Sequence, residues 1–219
     1  MNKVQEAYKE MNANRNIAKK KGDLGETILI ELAKTFQDIT PCTILHSYSY
    51  PYASNRNKVM YPGNVKYENG RYIEYTKEGY SDECDLVIVT DYVMFLIECK
   101  ARSGKWKFYN SWADHNNSPT DKCPVMQSEK HARHLYHTVY EYIPNGDPTF
   151  LIPMVMFVDK ATVTDSRTKD RRGYIPIGIA NTFKELLNKY NVPHETIGIS
   201  RRELVNHMLR VGTAKKVYN

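Results

Sequence analysis

The first strong pattern in the chain is an apolar stripe at helical spacing between Asp23 and Phe36. Its members recur every three or four positions: Leu24, Ile28, Leu29, Leu32, Ala33 and Phe36. Because an α-helix has 3.6 residues per turn, these side chains share one face and predict an amphipathic helix. The preceding segment, from Val4 to Ala18, is polar nearly all round and predicts a solvated or partner-seeking helix.

Four shorter segments predict strands: Thr43 to Tyr48, Leu86 to Thr90, Val93 to Cys99, and Phe150 to Val158. The last three are near-continuous apolar runs, which implies burial on both faces and a central sheet covered by helices. Pro153 cannot donate to a strand ladder, so it predicts an edge or a bulge in the fourth strand.

The other segments predict an insertion, two loops and three more helices. In the tyrosine-rich stretch 49–81, Asn69-Gly70 supplies the two positive-φ positions of a hairpin turn. Segments 103–124 and 164–173 have the composition of loops, and a helix is expected over 125–142. Thr182 with Glu185, and Ser200 with Glu203, form capping boxes that predict two C-terminal helices.

These elements predict an α/β protein with a central mixed sheet flanked by helices and a β-hairpin insertion. Residues 1–20 are expected to form a polar N-terminal helix or extension, and residues 21–180 the core, with the insertion at 49–81. Residues 181–219 are expected to form a C-terminal helical extension packed on that core.

Composition narrows the possible functions. The 31 Lys and Arg exceed the 25 Asp and Glu, and the resulting charge of +6 favours an anionic partner. Four cysteines without a CxxC pair point away from a zinc ribbon or a disulfide framework. With no apolar leader and no run long enough to span a bilayer, we expect a cytoplasmic protein without a membrane partner.

The candidate chemistry lies in the second and third strands. If they form an antiparallel hairpin, Asp85 at the start of one comes beside Glu98 at the end of the other. Alternation places Glu98 and Lys100 on one face of their strand. Two carboxylates at a sheet edge suit Mg²⁺, and a lysine beside them suits an attacking water, so the pattern favours metal-assisted phosphodiester hydrolysis.

The order of motifs resembles that of the nuclease-related domain (NERD), a member of the PD-(D/E)xK nuclease superfamily. The motifs are KGDLGE from Lys21, ECDLVIV from Glu83, FLIECK from Phe95, Ser118-Pro119, Gln127 and PMVMFV from Pro153. The resemblance implies a restriction-endonuclease-like core in which Asp85, Glu98 and the backbone carbonyl of Cys99 ligate Mg²⁺ or Mn²⁺. It further implies that Glu26 lies near the metal, that Gln127 lines the site and that Lys100 serves the nucleophile.

Basic and aromatic residues directly after the catalytic strand suggest contacts to nucleic acid: Arg102, Lys105, Trp106 and Lys107. His131 stands where related families often have a tyrosine, and we expect it on a solvated helix face near phosphate. These features predict a metal-dependent nuclease, with DNA favoured and low sequence preference, and a homodimer is a further expectation. A non-catalytic nucleic-acid- or partner-binding protein on the same fold and a ribonuclease remain as alternatives.

Overall fold

A computed structural model describes residues 3–13, 18–55, 58–60, 66–68, 71–74, 81–120, 123–143, 147–193 and 200–219. The helices are α1 (Lys3–Ala13), α2 (Ala18–Gln37), α3 (Pro124–Val139), α4 (Lys169–Tyr174), α5 (Phe183–Tyr190) and α6 (Arg201–Val211). The strands are β1 (Cys42–Asn55), β2 (Lys58–Met60), β3 (Lys66–Glu68), β4 (Arg71–Glu74), β5 (Ser81–Thr90), β6 (Met94–Lys100), β7 (Gly104–Phe108), β8 (Ala113–His115), β9 (Ser118–Pro119), β10 (Leu151–Phe157), β11 (Ala161–Asp165), β12 (Ile177–Ile179) and β13 (Thr213–Tyr218). Within these residues, no helix is both long and apolar enough to cross a bilayer.

A central sheet organises the molecule, in the order β12-β10-β6-β5-β1-β13, with β2 paired to β1. Strands β5 and β6 form the predicted antiparallel hairpin, and β10 runs parallel to β6 and β12. The predicted mixed sheet flanked by helices is therefore confirmed.

Helices cover both faces of this sheet. On one face, α2 buries Ile28, Leu29 and Phe36 completely against the strands. On the other face, α3 and α6 contribute residues such as Leu135 and Met208 to a second core. Each fully buried side chain of this size contributes about 1.5–3 kcal/mol, so these faces supply most of the driving force.

A second, smaller sheet occupies segments where the sequence predicts loops. Its order is β11-β7-β8-β9, and β11 runs parallel to β7. Its inner side, with Trp106 and Phe108, packs on Val155 and Phe157 of β10 and on Val125 of α3. The prediction of a loop at 103–124 was wrong because β7, β8 and β9 are short and half exposed, so they lack a continuous apolar run. The predicted loop at 164–173 contains the end of β11 and most of α4, a six-residue helix that buries none of its side chains and so shows no apolar stripe.

The C-terminal segment, predicted as a helical extension packed on the core, contains a strand as well as helices. After α6, strand β13 pairs antiparallel with β1 and becomes an edge of the central sheet. Its residues are mostly exposed, and a polar edge strand has no apolar pattern that would reveal it.

Several local predictions have mixed outcomes. Strands β3 and β4 pair as the expected hairpin, whose turn, 69–70, lies outside the described residues. Helix α1 ends at Ala13 and buries Ala7 in the α2-side core, so it is not simply solvated.

The two predicted helix caps differ in outcome. The Thr182 hydroxyl hydrogen-bonds Ile179 instead of capping α5, whereas the Ser200 hydroxyl accepts from the Glu203 N–H as predicted.

Pro153 has a simple explanation in the topology. It lies on β10 between two neighbours, but β12 pairs only with residues from Val155 to Phe157. At Pro153 the strand therefore has an open side, and this agrees with the expected edge.

Gly25 allows α2 to lie close to the residues that follow β6 and β10. A Cβ at this position would lie 2.7 Å from Val158 Cγ2 and 2.9 Å from Ala101 Cβ, whereas a Cβ at Gly22, on the same helix, would meet nothing within 4 Å. We expect Gly25→Ala to lower the free energy of unfolding by about 1–3 kcal/mol through overpacking.

The matched variant Gly22→Ala should instead raise the free energy of unfolding by up to about 1 kcal/mol, since alanine is the better helix former. Urea denaturation followed by circular dichroism measures both. Equal effects of the two variants would contradict the close packing at Gly25.

Candidate active site

The site forms where two neighbouring strands lose their regular alternation. On β5, Leu86 faces α2 and Val87 faces α3, so strict alternation would turn Cys84 toward α2. Cys84 instead faces α3. The alternation therefore changes phase at Asp85. Opposite Asp85 on β1, Ser47 has a positive φ of 47°. Ser47 is left out of the pairing of β1 with β5 and of its pairing with β13. This shared irregularity frees Asp85 from a normal position on either face.

Asp85 turns toward β6, where its Oδ2 accepts a hydrogen bond of 2.7 Å from the backbone N–H of Cys99. The last backbone pair of the hairpin is Leu86 with Ile97, so this carboxylate takes the place of the next acceptor in the ladder. Burial and the nearby charges of Glu98 and Glu26 raise the pKa of Asp85 well above its usual range.

Glu98 and Lys100 share one face of β6, as the alternation predicts. The Glu98 side chain is buried, and its Oε1 forms an ion pair with Lys100 Nζ. The same ammonium donates a 3.2 Å hydrogen bond to Gln127 Oε1 on α3. The structure thus brings Asp85, Glu98, Lys100 and Gln127 together beside the C-terminal end of β6.

Glu26 approaches the site from α2. Its Oε2 lies 2.7 Å from His46 Nε2 and accepts a longer hydrogen bond, of 3.4 Å, from the Ser47 hydroxyl. The negative charge of Glu26 contributes to the raised pKa of Asp85. The expected neighbourhood of Glu26 and the acids therefore agrees with the structure.

His131 is not on a solvated face, which corrects the sequence-based expectation. It is 5% exposed, with Nε2 3.2 Å from Asp82 Oδ1 and Nδ1 3.5 Å from Glu98 Oε2. Asp82 also accepts a 2.9 Å hydrogen bond from His134. The helix period placed His131 correctly on α3, but the pattern could not show that a carboxylate at the start of β5 faces it.

The predicted nucleic-acid contacts divide into two groups. Arg102, Lys105 and Lys107 are exposed after β6. Trp106 is 2% exposed and packs against Phe157 on the inner side of the second sheet, so it offers no surface to a base, contrary to the expectation. Strand alternation explains the division, since Trp106 points inward between two outward lysines.

The carboxylates of Asp85 and Glu98 are the type of ligand that a hard divalent cation prefers. Glu98 Oε2 is buried and makes no hydrogen bond, although His131 Nδ1 lies 3.5 Å from it, and the charges around Asp85 are predominantly negative. Among the described residues, no group of three or more His, Cys, Asp or Glu side chains is arranged to hold a metal ion. Mg²⁺ commonly uses one or two carboxylates and completes its shell with water and phosphate oxygens, so two acids suffice.

Comparison with known protein families agrees with this geometry. The nuclease-related domain (NERD) matches residues 21–158, more than half of the chain. The chain belongs to the NERD family. No curated protein and no solved structure shows significant similarity to it. The NERD segment contains every side chain of the candidate site, and its family points to a nuclease-related function with nucleic acid as substrate.

Sequence reasoning missed Asp82 and His134 in this NERD domain. Asp82 lies outside the Asp85 to Lys100 pattern, and a single aspartate at a strand start is usually a turn residue. Spacing could have offered one hint, because His131 and His134 are three apart and so neighbour each other on a helix.

Asp82 anchors β5 to α3 and should make stability depend on pH. Burial would raise the pKa of this carboxyl, but hydrogen bonds from His131 and His134 and the charge of Lys130 outweigh burial and hold it well below its usual range. A depressed pKa stabilises the folded state above the unfolded value of about 3.9, and this contribution is lost as pH falls below it.

We expect Asp82→Asn to lower the free energy of unfolding by roughly 1–3 kcal/mol at neutral pH and to flatten its decline below about pH 4. Urea titrations at several pH values measure this. Exposed Asp38→Asn is the control and should change stability by less than about 0.5 kcal/mol. If the stability of Asp82→Asn declined below about pH 4 as steeply as that of the wild type, the proposed role of Asp82 and its histidine partners would be contradicted.

Proposed function

We propose that this NERD protein is a metal-dependent nuclease that hydrolyses phosphodiester bonds of DNA with low sequence preference. The observation that carries the proposal is the convergence of Asp85 and Glu98, one of whose buried oxygens lacks a hydrogen bond, beside Lys100. An acid pair with an adjacent ammonium suits attack of water on a phosphate diester.

Asp85 and Glu98 would hold Mg²⁺ or Mn²⁺, and the backbone carbonyl of Cys99 would complete the protein ligands. When bound, such an ion lowers the pKa of water and offsets the charge of the phosphate. The N–H of Cys99 holds Asp85 in the sheet plane, so one oxygen of this carboxylate is already fixed.

Lys100 would orient the attacking water or stabilise the charge that develops on phosphorus. Its ammonium is held between Glu98 and Gln127, so its position is set before substrate arrives. Gln127 and His131 act as positioning residues in this scheme: Gln127 restrains Lys100, and His131 lies between Glu98 and Asp82.

Cleavage should require both the acid pair and the lysine. We expect Glu98→Gln and Lys100→Ala each to lower the cleavage rate at least about a hundredfold, because each removes a charge that acts on the transition state. EDTA should abolish cleavage by the wild type. The measurement compares supercoiled plasmid, linear duplex, single-stranded DNA and RNA with Mg²⁺ or Mn²⁺.

Glu185→Gln and Lys184→Ala, both exposed on α5, are the matched controls and should cleave like the wild type. Circular dichroism verifies that every variant is folded. Absence of cleavage with retained nucleic-acid binding would favour the non-catalytic alternative, and faster cleavage of RNA would favour a ribonuclease.

Metal binding has a readout that is independent of cleavage. Asp85→Asn removes one of three neighbouring negative charges while its side-chain oxygen can still accept from Cys99. We therefore expect this variant to melt at a higher temperature than the wild type in EDTA, but to gain less from added Mg²⁺ or Mn²⁺. An equal gain in both proteins would argue against Asp85 as a ligand.

A further inference from the structure

The second sheet presents a polar outer surface that the proposed site does not use. Lys105 and Lys107 are exposed on β7, and the parallel neighbour β11 places exposed Thr162 beside Lys105 and exposed Thr164 beside Lys107. The two lysines are about 6.7 Å apart along the strand. Lysine charges with adjacent hydroxyl donors are groups that contact the phosphates of nucleic acids.

An aromatic pair lies at the end of this surface. The rings of Tyr109 and Trp112 are stacked, with centroids 4.0 Å apart and planes 12° apart, and Trp112 is 43% exposed. Lys107 Nζ lies 5.1 Å from the centre of the Tyr109 ring. This places a cation directly beside an exposed stacking surface, a combination that suits an unpaired base and its phosphate.

The pair is held rigidly by the backbone around it. The Tyr109 N–H donates to the Trp112 carbonyl at 2.9 Å and closes the turn. The Thr168 N–H donates to Asn110 Oδ1, also at 2.9 Å, and ties the turn to the start of α4. A surface that is ordered before binding loses less entropy when a ligand arrives.

The position of this surface connects it to the candidate site. Arg171 of α4 forms a bidentate ion pair with Glu129 on α3, two residues from Gln127. The inner side of the same sheet packs on Phe157, the register neighbour of Lys100. A strand of nucleic acid on the outer surface would therefore lie on a sheet that packs beside the candidate active site.

From these observations we propose that the outer surface of the second sheet binds single-stranded DNA, with phosphates along Lys105 and Lys107 and an unpaired base on Trp112. The inference rests on the proposed nuclease function and names the form of its substrate. A base within a duplex is stacked and paired on its neighbours, so only an unpaired base can cover the exposed ring. Asp114, which lies opposite Lys107 on β8, limits the positive charge at one side of the surface.

The test is equilibrium binding in EDTA, which separates binding from cleavage. A labelled oligothymidylate of about 15 nucleotides is titrated with the full chain and followed by fluorescence anisotropy. We expect Trp112→Ala to weaken binding roughly tenfold and Trp112→Phe to weaken it much less, because an aromatic face remains. Asp114→Asn should tighten binding. Tyr92→Ala removes an exposed aromatic ring from the opposite end of β6 and should bind like the wild type.

The lysines have their own signature in the salt dependence. Lys105→Gln with Lys107→Gln should flatten the slope of log affinity against log salt by about 1.4, whereas Lys215→Gln with Lys216→Gln, exposed on β13, should leave it unchanged. Wild-type affinity in Trp112→Ala, equal binding of duplex DNA, or tighter binding of oligouridylate would overturn the proposal. Normal binding by a Lys100→Ala protein, together with a wild type that cleaves nothing, would refute the nuclease function alone.

Discussion

The carboxylates of Asp85, Glu98 and Glu26 repel one another beside the C-terminal end of β6, and the surrounding structure is arranged around this repulsion. Each acid has its own partner: Asp85 has the N–H of Cys99, Glu98 has Lys100, and Glu26 has His46. These partners only partly compensate the acids, since the pKa of Asp85 stays raised by burial and by its acidic neighbours. The fold thus maintains an electrostatic cost that a divalent cation would relieve.

The irregularity at Ser47 and Asp85 shows how the sheet accommodates this cost. In a regular ladder, Asp85 would project onto one face of the sheet, away from the backbone of β6. The change of phase in β1 and β5 lets its carboxylate lie in the sheet plane instead. Backbone strain of this kind, with φ of 47° at Ser47, is often retained at functional sites because it orients a reactive group.

Much of this arrangement follows from the sequence, and the remainder fails for identifiable reasons. The period of α2 and the apolar runs of β5, β6 and β10 predicted the layers, and strand alternation predicted the common face of Glu98 and Lys100. The short strands β7 and β11 and the edge strand β13 were missed because exposed strands carry no continuous apolar signal. The contact of His131 with Asp82 joins residues 49 positions apart, and only tertiary packing brings them together.

Strand alternation also decides which tryptophan can meet a ligand. Composition alone made Trp106 the natural candidate, since it lies between two lysines. The same alternation that exposes those lysines turns Trp106 into the core, where it packs on Phe157 beside β6. Trp112 escapes this rule because it follows a tight turn, and the backbone bond from Tyr109 holds it at the surface. One inward ring thus packs beside the candidate site, while an outward ring remains exposed at the surface.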